Sequence, residues 1–320
     1  MTSSPLRKAG LGRLAYRFYY APLGAVRASF AAGGPLEQWR TARGREAMER
    51  AARNVLPPLP PPPGDAPAPP VHVLTGRALW YQTAFMLHSL ARFQPVQVVV
   101  HDDGTLAGAP CEALQRIIPW ATFLPAAEAE SRLDRVLPPA RYPFLRARRS
   151  ELVLFRKIMD VHAGVAGWRL FLDSDMIFFR EPKRLMKWLR APDCAMHMVD
   201  VERAYGYDLE LLNQLAGRSV PDLVNTGMLG LRSEAIDWDY LERSCGAMIE
   251  RAGTHYYQEQ ALVALHLATQ PHATFPREDY LVRPEPPETQ SCRAVMHHYV
   301  AGSKRWYFRE SWRRVFEPVG

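Results

Sequence analysis

Residues 168–179 read WRLFLDSDMIFF, two apolar runs interrupted by two carboxylates with one serine between them. The first run predicts a strand that is buried on both faces of a sheet. Because residues i and i+2 of an extended chain point to the same side, Asp173 and Asp175 are expected to converge where that strand ends. Convergent carboxylates repel each other and are expensive to bury, which favours a cation between them. The alternative is a pair of aspartates that caps a turn.

A site at this place would suit a hard cation. The carboxyl ends of strands are where open α/β sheets bind ligands. Carboxylate oxygens suit Mg²⁺ and Mn²⁺, and either ion can hold a diphosphate on its remaining coordination positions. The sequence has neither a Walker loop nor a G-x-G-x-x-G turn. A diphosphate would therefore have to be held by the metal and by basic side chains.

Alternating strand and helix patterns predict the fold class. From residue 71 to residue 190, short apolar runs typical of strands alternate with helical periodicities, and the alternation loosens after residue 191. This pattern predicts an α/β protein with a mixed, mainly parallel sheet flanked by helices. The predicted strands are 71–75, 96–100, 121–124, the run from 168 that stops on the aspartates, 195–199, 225–231 and 295–299, and the predicted helices are 37–55, 78–93, 109–117, 151–162, 183–190, 240–250 and 258–268.

The positive charge of the chain is confined to its N-terminal part. The 320-residue chain has a formal net charge of +7, and residues 1–56 hold ten Lys or Arg against three Glu, which accounts for all of that charge. Nine prolines among the fourteen positions 57–70 predict a stiff spacer. We therefore divide the chain into a basic, helical N-terminal arm (1–56), a proline-rich linker (57–70) and a catalytic domain (71–320).

The arm leaves several interpretations open. Residues 6–30 mix arginines with aromatic residues, a composition that suits an anionic membrane surface, packing on the main domain, or a partner protein. The charge-balanced remainder gives no reason to expect a nucleic-acid partner. Four cysteines without C-x-x-C spacing fit a reducing compartment, and the sequence shows neither a membrane span nor a signal peptide. These features predict a cytoplasmic location, with peripheral contact at the inner membrane face as an alternative.

Three further motifs follow the aspartate pair: NTG at 225–227, QEQ at 258–260 and HYVAGSKRW at 298–306. Together with LDSD at 172–175 they resemble the metal-dependent GT-A glycosyltransferases. The greatest similarity is to family 8, the group of glycogenin and the bacterial lipopolysaccharide galactosyl- and glucosyltransferases. The resemblance covers residues 71–306 and implies a Rossmann-like GT-A fold. It also implies transfer of a sugar from a nucleotide-sugar donor, usually a UDP-sugar, with retention of anomeric configuration.

The resemblance assigns a metal site and a diphosphate contact. By the family pattern, Asp173, Asp175 and His298 hold Mn²⁺ (or Mg²⁺), Asp173 also contacts the ribose or sugar of the donor, and the ion-binding Asp175 counts among the catalytic residues. Lys304 corresponds to the lysine that contacts the diphosphate. Arg305 stands where the family usually has proline, so the local path of this loop is expected to differ.

The other motifs are assigned to the donor sugar. Gln260 corresponds to the glutamine near the anomeric carbon, and Glu259 replaces the family's aspartate beside it. Glu259 is the nearest candidate for a covalent nucleophile, with front-face attack assisted by the leaving phosphate as the alternative. Asn225 and Gly227 match the strand start that lines the sugar site. Lys157, on the helix before the aspartates, matches a basic residue that contacts the donor, with the adjacent Arg156 as the alternative.

The nucleotide base is expected near Thr75 and Gly76, because the first strand ends there. The acceptor, whether a glycan, a lipid-linked sugar or a protein, cannot be read from the residues. One alternative function is a sugar-nucleotide nucleotidyltransferase, which would normally carry a glycine-rich basic loop in place of TGRAL at 75–79. Another is a non-catalytic sugar-nucleotide-binding or scaffold protein, which would be expected to have lost the carboxylates or the histidine. Three further histidines, His101, His197 and His297, are interpreted as structural.

Overall fold

The computed structural model describes residues 34–62, 64 and 69–318. The basic aromatic segment 6–30 of the predicted arm lies outside these residues, as do positions 63 and 65–68 of the linker. None of the helices in the described ranges has the length and apolarity that crossing a bilayer requires.

The strands of the described chain lie within the predicted catalytic domain. They are β1 (Val71–Thr75), β2 (Val98–Asp102), β3 (Thr122–Leu124), β4 (Trp168–Leu172), β5 (Met176–Phe178), β6 (Ala195–Val199), β7 (Val224–Arg232), β8 (His272–Thr274), β9 (Tyr280–Val282) and β10 (Met296–His298).

The helices begin before the linker and continue to the C-terminal end of the described chain. They are α1 (Gly34–Asn54), α2 (Trp80–Ala91), α3 (Ala109–Ile117), α4 (Ala126–Val136), α5 (Pro143–Glu151), α6 (Phe155–His162), α7 (Lys183–Arg190), α8 (Leu209–Ala216), α9 (Trp238–Ala252), α10 (Gln258–Leu267), α11 (Pro286–Ser291) and α12 (Lys304–Arg309), with 3₁₀ turns at Ser233–Ala235, Ala301–Ser303 and Ser311–Phe316.

Seven strands form the central sheet in the order β3-β2-β1-β4-β7-β6-β8. Only the pairs β4–β7 and β6–β7 of this sheet are antiparallel, because β7 runs against its neighbours. The predicted fold class, a mixed and mainly parallel sheet flanked by helices, is confirmed. The predicted strand before the aspartates is β4, and the apolar run after them forms β5, which belongs to a second sheet, β5-β10-β9.

The antiparallel direction of β7 determines which strand ends, with their polar residues, lie side by side. Its start lies beside the carboxyl ends of both β4 and β6, since the Asp173 amide donates to the Gly227 carbonyl at 2.7 Å and the Asp200 amide donates to the Leu223 carbonyl at 2.7 Å. Asp173, Asp200 and Gly227 therefore occupy one edge of the sheet. This edge is the ligand-binding edge of open α/β folds.

The core packs on both faces of the sheet, as the apolar run of β4 predicts. Leu170, Phe171 and Leu172 are each no more than 1% exposed. Leu170 and Leu172 belong to one buried apolar cluster, whereas Leu229 and Leu231 of β7 belong to a second. Side chains of neighbouring strand residues point to opposite faces, so the two clusters place helices on both sides of the sheet.

Two differences from the sequence prediction have a common cause. The predicted helix 151–162 begins only at Phe155, as α6, and helices α4 and α5 were not predicted. Helix α4 buries only Ala129 and Leu133, α5 buries Arg148 and Arg149 beside Leu145, and Glu130 of α4 pairs with Arg146 and Arg149 of α5. Apolar periodicity cannot reveal a helix whose buried face is held by ion pairs.

The predicted helix 37–55 is confirmed as α1, which packs on the chain's own domain. Met48, Ala52 and Leu56 are each no more than 1% exposed and belong to the same apolar cluster as β1 and α2. Residues 34–54 thus pack on the main domain, whereas the alternatives for residues 6–30 concern positions outside the described residues and stay predictions. The division of the chain at 57–70 stays a prediction.

Candidate active site

Asp173, Asp175 and His298 converge as the i, i+2 argument and the family pattern predicted. One ligand atom from each lies within 4.8 Å of the others. The Nε2 atom of His298 is 3.1 Å from Asp175 Oδ1 and 3.6 Å from Asp173 Oδ2. The antiparallel pairing of β10 with β5 sets His298 opposite Met176, one residue after Asp175. The last strand of the second sheet therefore brings the imidazole to the carboxylates.

Gly227 makes room for this imidazole. A Cβ atom at position 227 would lie 2.2 Å from Cε1 and 2.6 Å from Nδ1 of His298. No ordinary van der Waals contact is this short, so any side chain at 227 would displace the ring. The glycine predicted to line the sugar site thus contacts the predicted metal ligand.

Two lysines pair with the two aspartates. Lys157 Nζ on α6 lies 2.6 Å from Asp173 Oδ1, and Lys304 Nζ at the start of α12 lies 2.9 Å from Asp175 Oδ2. Burial opposes the charge of Lys157, but Asp173 and Glu259 outweigh burial and raise its pKa. Asp175 raises the pKa of Lys304. Both lysines are therefore cationic at neutral pH.

Asp175 is held in its ionised form. Burial alone would raise its pKa, but the charges and hydrogen bonds of His298 and Lys304 outweigh burial and lower the pKa below its ordinary value. Two carboxylates and one imidazole are a donor set that fits Mn²⁺ or Mg²⁺, and thiolate ligands, which would favour zinc, are not among these three residues. The residues therefore fit the divalent cation that the sequence predicted.

A buried amide–carboxylate network adjoins the cation ligands. Asn225 Nδ2 donates to Asp200 Oδ2 at 2.9 Å, and Gln260 Nε2 donates to the same oxygen at 3.4 Å. Asn225 Oδ1 in turn accepts from the Gly227 amide at 3.0 Å. The structure thus brings together three predicted sugar-site residues and adds Asp200, which was missed. The available signal was its position directly after β6, which matches the position of Asp173 directly after β4.

Glu259 is buried behind this network. Its Oε2 accepts from Thr226 Oγ1 at 3.0 Å, and its Oε1 has no hydrogen-bond partner among the described residues. Burial raises the pKa of Glu259 to about 7, against the opposing effects of Lys157 and Thr226. This carboxyl group is therefore partly protonated at neutral pH, which weakens it as a nucleophile.

Thr75 and Gly76 lie beside the turn that follows β2, as expected. The Asp103 amide donates to the Thr75 carbonyl at 2.9 Å, and a Cβ at position 76 would lie 2.0 Å from Asp103 Oδ1. The Thr75 hydroxyl accepts from Thr83 at 2.9 Å and is thus already engaged. Because β1 neighbours β4 in the sheet, this turn pair borders the cation ligands.

The three histidines without an assigned role lie outside the Asp173–Asp175–His298 cluster. His101 bonds to His72 at 2.9 Å, His197 to the Met198 carbonyl at 2.8 Å, and His297 to Tyr299 and Glu288 at 3.0 and 3.2 Å. Burial lowers their pKa values to about 3, 4 and 4, respectively. These neutral, buried rings agree with their interpretation as structural residues.

No protein-family model and no curated protein matches the sequence. Solved glycosyltransferase structures are similar to it in fold. WbbM, a bifunctional glycosyltransferase in its apo form, is 12% identical with a TM-score of 0.49, and the match covers 75% of this chain and 47% of WbbM. Mouse xyloside xylosyltransferase 1 in its apo form is 11% identical with a TM-score of 0.47, covering 72% of this chain and 97% of that one.

The galactosyltransferase LgtC, in complex with donor and acceptor sugar analogues, is 14% identical with a TM-score of 0.43, and the match covers 72% of this chain and 87% of LgtC. The chain thus spans about half the length of the WbbM structure. All three TM-scores are below 0.5, so the chemistry of this chain is argued below from its own residues.

Proposed function

We propose that this chain is a metal-dependent glycosyltransferase that moves a sugar from a nucleoside-diphosphate donor to an acceptor. The observation that carries the proposal is the convergence of Asp173, Asp175 and His298 on one point, with Lys157 and Lys304 paired to the two carboxylates. An Mn²⁺ or Mg²⁺ ion bound there would supply a Lewis acid for the diphosphate leaving group. The proposal agrees with the family motifs that these residues form.

The two lysines are suited to different tasks. Lys157 is buried over the Phe171 ring, with Nζ 5.3 Å from the ring centroid, and keeps its charge in place beside Asp173. The side chain of Lys304 is 43% exposed, so it can leave Asp175 and bind a diphosphate oxygen instead. Stabilising the negative charge that develops on the leaving group is the largest single contribution expected from such a site.

The amide–carboxylate network provides groups for the sugar hydroxyls. Asp200 and Asn225 fix each other's orientation, and Gln260 extends the same network. We assign them to orienting the donor sugar and Gln260 to the neighbourhood of the anomeric carbon. Retention of configuration and a UDP donor follow the family resemblance. Because Glu259 is partly protonated at neutral pH, we favour front-face attack over a covalent Glu259 intermediate.

The test is a panel of nucleotide sugars scored for hydrolysis without acceptor, with and without Mn²⁺. We expect one nucleotide sugar, a UDP-sugar first among them, to be hydrolysed only with the metal and only when Asp175 is intact. NMR of the released or transferred sugar would report its anomeric configuration. Tight donor binding without turnover would support the non-catalytic alternative, and release of pyrophosphate from a nucleoside triphosphate and a sugar phosphate would support the nucleotidyltransferase.

A cytoplasmic location and contact with a membrane are separate proposals. Residues 1–33 contain five Lys or Arg and no Asp or Glu, which favours attraction to anionic lipid at the inner face of a cytoplasmic membrane. Co-sedimentation of the full chain with anionic and with neutral vesicles tests this. Equal recovery with the two vesicle types would exclude electrostatic membrane contact.

A further inference from the structure

Helix α12 carries the diphosphate lysine but is too short to hold itself in place. It spans only six residues, Lys304–Arg309, and begins at Lys304. Isolated helices of this length are unstable in water, so a short helix takes its position from what it packs against. The question is therefore which element fixes α12.

On one side, α12 is bound to helix α1 through Arg309, which contacts Glu37 and Thr41 of α1. The Arg309 guanidinium places Nη1 2.5 Å from Glu37 Oε2, and its Nε and Nη2 atoms lie 3.2 and 3.0 Å from the Thr41 hydroxyl. The Arg309 side chain is only 12% exposed. A fork with several donors engaged fixes direction as well as distance, which a single point charge cannot do.

A close backbone contact also holds α1 and α12 together. A Cβ atom at Gly44 of α1 would lie 2.3 Å from the carbonyl oxygen and 2.8 Å from the carbonyl carbon of Phe308 in α12. The obstacle is backbone, which cannot rotate away as a side chain can. The two helices therefore approach at a distance that only glycine permits at position 44.

The other side of α12 contacts the carboxylate loop. Lys304 Nζ lies 2.9 Å from Asp175 Oδ2, and the Tyr307 hydroxyl donates to the Ser174 carbonyl at 3.2 Å. The Tyr299 amide, next to His298, donates to the Asp175 carbonyl at 2.8 Å. A shift of α12 would therefore move the lysine and remove a support of the loop between the two aspartates.

We propose that α1 positions the diphosphate-binding end of the active site, with Arg309 as the positioning residue that couples Glu37 and Thr41 to Lys304. The proposal rests on the proposed function for the role of Lys304. It makes a helix that precedes the proline-rich linker part of the catalytic unit.

Hydrogen exchange of the full-length protein tests the structural half. We expect Glu37→Gln and Gly44→Ala to accelerate amide exchange in peptides covering residues 304–309. Glu49→Gln is the matched control, because it makes the same change on the same helix but breaks only the Arg53–Glu49 pair, 3.2 Å apart and far more exposed. Unchanged exchange at 304–309 in the Gly44→Ala protein would overturn the proposal, whatever the activity.

Binding of UDP in the presence of Mn²⁺, measured by calorimetry, tests the functional half. We expect the affinity to fall about threefold in Glu37→Gln and roughly tenfold in Gly44→Ala. Glu49→Gln should bind as the wild type does, and Arg309→Lys should bind better than Arg309→Ala. Normal UDP affinity in the Gly44→Ala protein despite faster exchange would refute positioning of the site. If the wild type itself binds no nucleoside diphosphate, the proposed function fails, while the exchange result still decides whether α1 holds α12.

Discussion

Helix α6 contributes to two clusters of acidic and basic side chains. In the closed pair, Arg149 and Asp160, the charged groups satisfy one another, whereas in the open cluster, Asp173, Asp175, His298 and the two lysines, they do not. Asp160 is fully buried, and its two oxygens accept from the Arg149 guanidinium at 2.5 and 3.0 Å. Lys157, one turn earlier on the same helix, reaches Asp173 at 2.6 Å. The cluster around Asp173 also contains Asp175, the His298 imidazole and the half-exposed Lys304, and its two acids share the one imidazole between them.

The difference separates a structural cluster from a ligand site. In the closed pair the Arg149 guanidinium satisfies both carboxylate oxygens of Asp160 and also pairs with Glu130, while Arg156 lies 3.9 Å from Asp160, so a further ligand would find no free group. In the open cluster, Asp173 and Asp175 face each other across His298 and remain 20% and 12% exposed. A cation-binding site needs charged side chains that can change partners when the cation binds. The closed pair should therefore control stability, and the open cluster should control activity.

Removing a carboxylate from the open cluster is expected to have the largest effect on activity. Asp175→Ala should lower Mn²⁺-dependent sugar transfer by at least about a thousandfold, because the electrostatic stabilisation of the leaving group is lost. Asp173→Ala and His298→Ala should also be severe. The measurement is donor turnover at saturating Mn²⁺, with circular dichroism to verify folding. Wild-type turnover in Asp175→Ala would disprove the metal role.

The closed pair should behave in the opposite way. Asp160→Ala leaves the Arg149 guanidinium buried with only the part-exposed Glu130 as its partner, and the free energy of unfolding should fall by about 3 kcal/mol. Turnover per folded molecule should stay within a factor of about two, since Asp160 does not face the cation ligands. Urea unfolding at pH 7 gives the first quantity. A loss of turnover that exceeds the loss of folded protein would remove the distinction between the two clusters.

Gly227 tests how closely the open cluster depends on shape. Gly227→Ala introduces a Cβ 2.2 Å from the His298 ring, and displacing a ligand by about 1 Å can lower activity by about a hundredfold. Kinetics at several Mn²⁺ concentrations should show the loss and a weaker apparent metal affinity. Gly64→Ala is the control, because nothing lies within 4 Å of a Cβ at that position. Equal activity of the two variants would contradict the role of Gly227.

The smallest predicted effect concerns Glu259 and the pH dependence of stability. The raised pKa of Glu259 determines whether stability rises or falls with pH. The folded pKa is raised to about 7 from an ordinary 4.5, so the folded state binds more protons between these values. The free energy of unfolding contributed by Glu259 is therefore present below pH 4.5 and is lost as the pH rises through 7. The free energy of unfolding of Glu259→Gln, relative to that of the wild type, should therefore rise by about 2 kcal/mol between pH 5 and pH 8. Urea unfolding with a chelator present measures it, and parallel pH curves for the two proteins would contradict it.

The sequence predicted the open cluster better than the closed one. The apolar runs on both sides of Asp173 and Asp175 predicted a buried strand that ends in convergent carboxylates, and the structure confirms that geometry. Arg149 and Asp160 gave no such signal. A buried ion pair looks like surface charge in a sequence, because its burial depends on the packing of α5 against α6 and not on a local pattern.

The remaining site residues depended on different information. His298 and Lys304 lie far from the aspartates in the chain, and only their match to a family motif connected them before the fold was known. Asp200 was missed because its partners Asn225 and Gln260 come from other elements. Which strand ends meet is set by the reversal of β7, and strand direction is not encoded in the apolar runs themselves.

The pairing of β10 with β5 has a consequence for how the chain opens. A cation held by Asp173, Asp175 and His298 would fasten the last strand of the molecule to its middle. By mass action, a ligand at a hundred times its dissociation constant stabilises the bound state by about 2.7 kcal/mol. The concentration of the metal would then govern how often the C-terminal segment, with Lys304 and α12, detaches and becomes open to proteases. Metal supply would thus regulate the lifetime of this protein as well as its turnover.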